Sequence, residues 1–349
     1  FQQANEDAQI DLRLKFAGDI SAPGTLYHNL RTTRATAPGA LPHLTLLRRS
    51  DLDFAVREGL LTPFTGAGEA ALLEGVLPAA AALGEIEATL FGIPFLLEVQ
   101  HQAYQPGLTA PESWSLSAVQ AGHWRFVFPA SASLRLSDLL IAQLAEAGAV
   151  NEQGRLAPDA GTLNAIYGFY ETGRGLDLFP PETLRAESPG DYLPLLTDGE
   201  LPAGAVTSSD YLRLLDQGSP LLAAPLPTLN GRLASPLNGW LWVLPTGTPE
   251  ERALALRFIV WMDEPARQAE YARAVHQIPA QADAFAQWAE GDYGQMTEAL
   301  LTNGALPPVD LAVNQPALTY ALQTGLTQVL HGSSTAAQAV EAILAAGQG

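Results

Sequence analysis

The chain contains no cysteine, and among its 349 residues there is a single lysine, Lys15. Without thiols there are no disulfides, no thiolate metal ligands, no cysteine nucleophile and no CxxC redox pair. One lysine leaves almost no candidate for Schiff-base chemistry, and no GxxxxGK(S/T) phosphate loop occurs. Basic residues are scarce as a class: 18 Lys and Arg stand against 37 Asp and Glu, a formal net charge of −19. Phosphate backbones need a basic face that releases counterions, so the charge argues against nucleic acid as a partner, and an anionic membrane surface is disfavoured on the same ground. No apolar run reaches the ~18 residues of a membrane-spanning helix. The chain opens at Phe1 on what reads as the tail of a helix, and a removed leader is the expectation. The six histidines, at 28, 43, 101, 123, 276 and 331, show no metal-ligand spacing such as HExxH, so neither a metal site nor a cofactor is expected.

What is present describes a globular protein: 47% hydrophobic and 16% charged residues, in a chain long enough for about two domains. The segment "NGWLWVLPTGTPEERALALRFIVWM" (238–262) places two of six tryptophans one residue apart. Trp240, Trp242 and Leu244 fall on one side of an extended stretch and Leu241 and Val243 on the other, the pattern of a strand covered on both faces. A helix follows at once. Thr248 at the N-cap, Pro249 at the first position and Glu251 at N3 form a capping box, and Leu254, Phe258, Trp261 and Met262 repeat at helical spacing.

Elsewhere strands and helices alternate, which predicts α/β layering with largely parallel strands. Residues 8–16 alternate Ile10, Leu12, Leu14 and Phe16 with charged residues, as a strand with one buried face does. A helix is expected over about 23–36 and a strand over 41–50, after which Ser50 caps the helix "DLDFAVREG" and Gly59 ends it. An extended run covers 88–99 and a Pro/Gly loop 105–114. A strand is expected over 123–130 and helices over 134–149, stopped by Gly148, over 158–173 and over 189–200. The stretch 203–218 reads as a strand running through "TSSD" into a helix; 219–240 is Pro-rich and extended. Two helices separated by "HGSS" close the chain. Neither an internal repeat nor a low-complexity tract is found.

Five fragments, in this order, carry a resemblance. "FQQANEDAQIDLRL" is similar to a helix-to-strand entry, "LPHLTLLRRSDLDFAVREGLLTPF" to a strand and helix ending in "GLL.PL", and "FGIPFLLEVQHQAYQPGLTAPESW" to a "GIPF…P.TW" crossing. "AAPLPTLNGRLASPLNGWLWVLP" is similar to a return crossing and "AVHQIPAQADAF" to a "G.iP" turn. Together they resemble the extracellular solute-binding proteins of ATP-driven importers, in the sugar-binding, maltose-binding-protein-like subgroup. The resemblance implies a two-lobed periplasmic-binding-protein-like fold of type II. Each lobe would be a mixed, mostly parallel sheet flanked by helices, joined by hinge crossings and closing on a ligand held in an interlobe cleft. Lobe 1 is expected over 1–97 and 238–290 and lobe 2 over 98–237 and 291–349. The family's first strand would precede Phe1, and "QHQAYQP" departs from the family's "YYN". No cysteine is available for thiaminase-like chemistry on this scaffold, so a binding protein is expected and not an enzyme.

Ligand-binding candidates follow from that placement. Trp240, after Asn238 and Gly239 at the second crossing, offers an aromatic face for a sugar or a cation; core packing is the competing reading for it and for Trp242. Glu98, after "GIPF", can accept two hydroxyl hydrogen bonds or be a solvated hinge acid. Tyr211 stands where a family aromatic stacks on ligand, beside Ser208, Ser209 and Asp210 at a helix start; an ordinary cap with a packed Tyr is the alternative. Arg49 and Ser50 open another helix at a strand end, with surface capping as the alternative, and Ser131 with Ser133 follows "VFPA". The expected partners are a small solute, foremost a carbohydrate and next a polyamine or other cationic or polar solute, and the permease subunits of an ABC transporter. The expected state is a monomer, in the periplasm or as a cell-surface lipoprotein. An enzyme or a ligand-free sensor on the same scaffold is the competing class.

Overall fold

A computed structural model describes residues 1–6, 8–13, 25–131, 136–151, 155–245, 248–306 and 315–347. The chain divides into two compact units, Phe1–Leu97 with Asn238–Trp288 and Glu98–Leu237 with Ala289–Gly349. Nine strands are described: β1 (Thr45–Arg48), β2 (Glu85–Ile86), β3 (Thr89–Leu90), β4 (Gly92–Tyr104), β5 (Ala203–Thr207), β6 (Leu222–Ala224), β7 (Ser235–Val243), β8 (Ile278–Pro279) and β9 (Ala305–Leu306). Two of the three passages of the chain from one unit to the other fall inside strands, at Leu97 to Glu98 in β4 and at Leu237 to Asn238 in β7.

In the first unit β1 runs antiparallel to the end of β7, pairing Thr45 with Val243 and Arg48 with Trp240, and β8 pairs with Leu96 and Leu97 of β4. The burial of β7 agrees with the tryptophan-rich pattern: Leu241 and Val243 are fully buried on one face, Trp242 and Leu244 nearly so on the other. Trp242 packs its ring 4.9 Å from Phe95 and 5.8 Å from Phe258. The helix Pro249–Met262 begins with the expected capping box; the Thr248 amide donates to Glu251 Oε2 at 2.7 Å and the Glu251 amide to Thr248 Oγ1 at 3.3 Å. The helix Arg49–Arg57 ends as predicted, with Gly59 at φ +66 and the Leu60 amide turned back to the Ala55 carbonyl.

In the second unit β5 and β6 flank β4 on either side, so that Gln102 lies opposite both Ala205 and Ala224. Its larger core gathers Phe126, Phe128, Tyr167, Tyr170, Leu322 and Leu326. The two closing helices, Pro316–His331 and Ala336–Ala346, pack on the helix Ala160–Gly175.

Three expectations are corrected. Of the six ladders whose register is described, only β7 with β9 is parallel. Residues 8–13 form no strand, and Ile10 and Leu12 are 39% and 78% exposed, because alternation alone makes no strand without a ladder partner; 14–16 lie outside the described residues. Residues 123–130 hold only a single bridge, Val127 to Gly204, although Phe126, Val127 and Phe128 are buried. Their apolar run reflects core packing from an irregular segment.

Candidate functional site

In the second unit the candidates gather where β5 passes into the helix Ser208–Asp216. Thr207 is the N-cap, its Oγ1 accepting the Asp210 amide at 3.0 Å and donating to Asp210 Oδ2 at 2.9 Å. Arg213 Nη2 reaches Asp210 Oδ1 at 2.7 Å. Ser209 Oγ lies 2.8 Å from Thr207 Oγ1 and donates to Glu98 Oε2 at 2.5 Å. Glu98 is half-buried, and its second oxygen, Oε1, accepts no hydrogen bond among the described residues. The expected acid and the expected helix start are therefore brought together, through Ser209.

Two neighbours are buried. Ser208 is fully buried, and its Oγ accepts the Val99 amide at 3.2 Å, which ties the helix to β4. Tyr211 is 4% exposed; its hydroxyl donates to the Leu221 carbonyl at 2.9 Å, and its ring packs 4.8 Å from Tyr293 and 5.0 Å from His101. Burial pushes its phenol up to about 12. The spacing of Ser208, Tyr211 and Leu214 marks one buried helix face, so the side chain turns inward. His101 is neutral there. Burial pushes its imidazole down to about 4, so Nδ1 donates to the Gln102 carbonyl at 2.9 Å and Nε2 accepts from the Tyr293 hydroxyl at 3.2 Å.

Ser131 is half-buried, with its amide on the Ala186 carbonyl and its own carbonyl accepting from Gln323 Nε2 at 2.9 Å. Ser133 lies outside the described residues. Close to Glu98 in sequence, Gln100 Nε2 donates to Asp138 Oδ2 at 2.6 Å, a pair that no local pattern signals.

In the first unit Trp240 is half-buried, with the Arg48 guanidinium 5.1 Å from its ring centre. Gly239 is required where β7 passes β4, since a Cβ there would lie 2.4 Å from the Leu96 carbonyl oxygen. Asn238 folds its Oδ1 onto the Gly239 amide at 2.8 Å. Ser50 does not cap its helix. The chain turns from β1 into the helix Arg49–Arg57 with no intervening loop, so Arg48 takes the N-cap position and Ser50 Oγ meets Asp51 Oδ1 at 3.2 Å. Arg49 is buried at 4% exposure in the first turn. Arg48 is not among the residues that the sequence singles out; the β1–β7 register that seats it on Trp240 is a tertiary fact.

Among the described residues no cluster of His, Asp and Glu could hold a metal ion, and no helix is long and apolar enough to cross a membrane.

No curated protein sequence matches this chain. Solved structures do match in fold. The maltodextrin-binding protein MalE1 of L. casei superposes with a TM-score of 0.77 at 12% identity, covering 99% of this chain and 92% of that one. The GacH receptor of Streptomyces glaucescens, solved unliganded and with acarbose, gives 0.69 at 16% identity with 93% and 88% covered. Maltose-bound T. maritima MalE3 gives 0.68 at 18% identity with 92% and 87% covered. The fold is thus the two-lobed, periplasmic-binding-protein-like α/β fold. Residues 30–291, most of the chain, match the family described as bacterial extracellular solute-binding protein, and the chain belongs to that family.

Proposed function

We propose that this protein captures a small polar solute, a carbohydrate, outside the cytoplasm and delivers it to the permease of an ABC importer, closing on it by a hinge. In this reading it works as a monomer without metal or cofactor, in the periplasm or on a lipid anchor. The observation that carries the solute class is the half-buried cluster in the second unit, a carboxylate with an unused oxygen at Glu98 beside ordered hydroxyls at Ser209 and Thr207; in the first unit, taken by itself, Trp240 is a half-buried aromatic. Carboxylates accept sugar hydroxyls and indoles cover their C–H faces. The names of the structural neighbours, which bind maltose or acarbose, support the same class. Arg48 already places a cation against Trp240, which favours a sugar over a polyamine at that ring. Function then follows from differential binding: a solute that contacts the closed form better draws the equilibrium toward it.

A thermal-shift screen of the protein against sugars, amines and peptides tests the reading, because a specific ligand raises the melting temperature by mass action. A sugar hit without turnover supports it. A hit confined to amines or peptides, or turnover of a sugar hit, contradicts it.

A further inference from the structure

Arg48 and Trp240 stand directly opposite one another across the β1–β7 ladder, with the guanidinium 5.1 Å from the indole centre, and both side chains are half-buried. Other arginines of this acid-rich chain hold a carboxylate: Arg57 with Asp53, Arg213 with Asp210, Arg232 with Glu146 and Arg252 with Glu69. Arg48 holds none among the described residues, and its contact is the indole ring. The acids that follow it in sequence are engaged within their own helix, Asp51 with Ser50 at 3.2 Å and Asp53 with Arg57 at 2.7 Å.

An indole face attracts a guanidinium and restricts its motion while leaving its N–H groups free to donate. Such a pre-ordered, partly desolvated fork matches the two oxygens of a carboxylate or phosphate, and a charged pair is stronger there than in open water. We propose that Arg48 is the group with which this protein recognises an oxyanion on its solute, so that the preferred sugars carry a carboxylate or phosphate and neutral sugars bind more weakly. This rests on the carbohydrate reading above. The net charge of −19 does not oppose it, since charges beyond about 8 Å are screened at physiological ionic strength while the direct contact is not.

The test is calorimetric titration of the intact protein with hexuronates, with hexose phosphates and with the neutral parent hexoses. A charged sugar is expected to bind at least about tenfold tighter than its neutral parent. Arg48→Gln is expected to abolish that preference. Arg48→Lys, which keeps the charge but loses the fork, retains part of it, and thermal unfolding checks that both variants fold. The uronate and phosphate arms separate the two oxyanions. Neutral sugars binding as tightly as their charged derivatives, or an undiminished preference in Arg48→Gln, overturns the proposal and leaves the carbohydrate reading standing. Binding of no sugar in any arm overturns both.

Discussion

Ser209 Oγ donates to Glu98 Oε2 at 2.5 Å, a bond that ties a helix start to β4 within one compact unit and holds the carboxylate in place. A hydrogen bond to a charged group contributes ~1.5–3 kcal/mol, and a neutral one about 1 kcal/mol. Glu98→Gln should therefore weaken solute binding by about tenfold or more, and Ser209→Ala by about fivefold, each with a lowered melting temperature from the weakened or lost bond between them. Titration of the best solute from the screen checks both; unchanged affinity in Glu98→Gln removes this carboxylate from the site.

Arg252 grips Glu69 with two bonds, Nε to Oε1 at 2.6 Å and Nη2 to Oε2 at 2.8 Å, while the Gly66 amide also donates to Oε2. The side chains are 23% and 9% exposed, so the pair is largely shielded from solvent. The Arg252 hydrogen bond holds the Glu69 carboxyl below its ordinary range, against the opposing effect of burial. A lowered folded-state value means that the stabilisation is complete above the unfolded carboxyl range, roughly pH 4 to 5, and is lost as pH falls through the lower folded value. Glu69→Gln should cost about 2–3 kcal/mol at neutral pH and show a shallower loss of stability in acid. Denaturant unfolding of both proteins from pH 3 to 7 measures it.

Asp263 behaves in the opposite sense. It follows the helix Pro249–Met262, and burial pushes its carboxyl up to about 7, with the hydrogen bond from Gln268 Nε2 at 3.1 Å acting the other way. The folded state then holds a proton that the unfolded state has released, so stability declines as pH rises from about 4 to about 7. Asp263→Asn should remove that decline and melt higher than the parent at pH 8. An equal pH slope in the variant contradicts the assignment.

The β2–β3 hairpin turns through Glu87 and Ala88 at φ +50 and +60, where Ile86 pairs with Thr89. A two-residue turn of this hand suits Asn-Gly, and an L side chain there costs about 1 kcal/mol. Ala88→Gly should raise stability by about that amount, read from the shift in denaturation midpoint.

Local signals in this chain were legible because their physics is local. Thr248, Pro249 and Glu251 specify a helix start through backbone groups within one turn, and Gly59 and Gly148, at φ +66 and +80, supply the left-handed residue that ends a helix. The two closing helices around "HGSS" and the covered strand at Trp242 belong to the same class. Of the two readings of Tyr211, the packed one agrees with its burial, which the Ser208, Tyr211, Leu214 spacing marks as one buried helix face. Strand direction was misjudged because alternation of strands and helices says nothing of which strands become neighbours; β4 meets β5, β6 and β8, all antiparallel and distant in sequence. The pairs proposed for binding, Glu98 with Ser209 and Arg48 with Trp240, join residues 111 and 192 positions apart, beyond the reach of any window.

Calorimetric titration of the intact protein against a broad carbohydrate panel tests the central claim most directly. The account predicts saturable one-to-one binding of at least one sugar, weakened in Glu98→Gln or in Trp240→Ala. Binding of no sugar, or of a sugar whose affinity neither substitution alters, would contradict it.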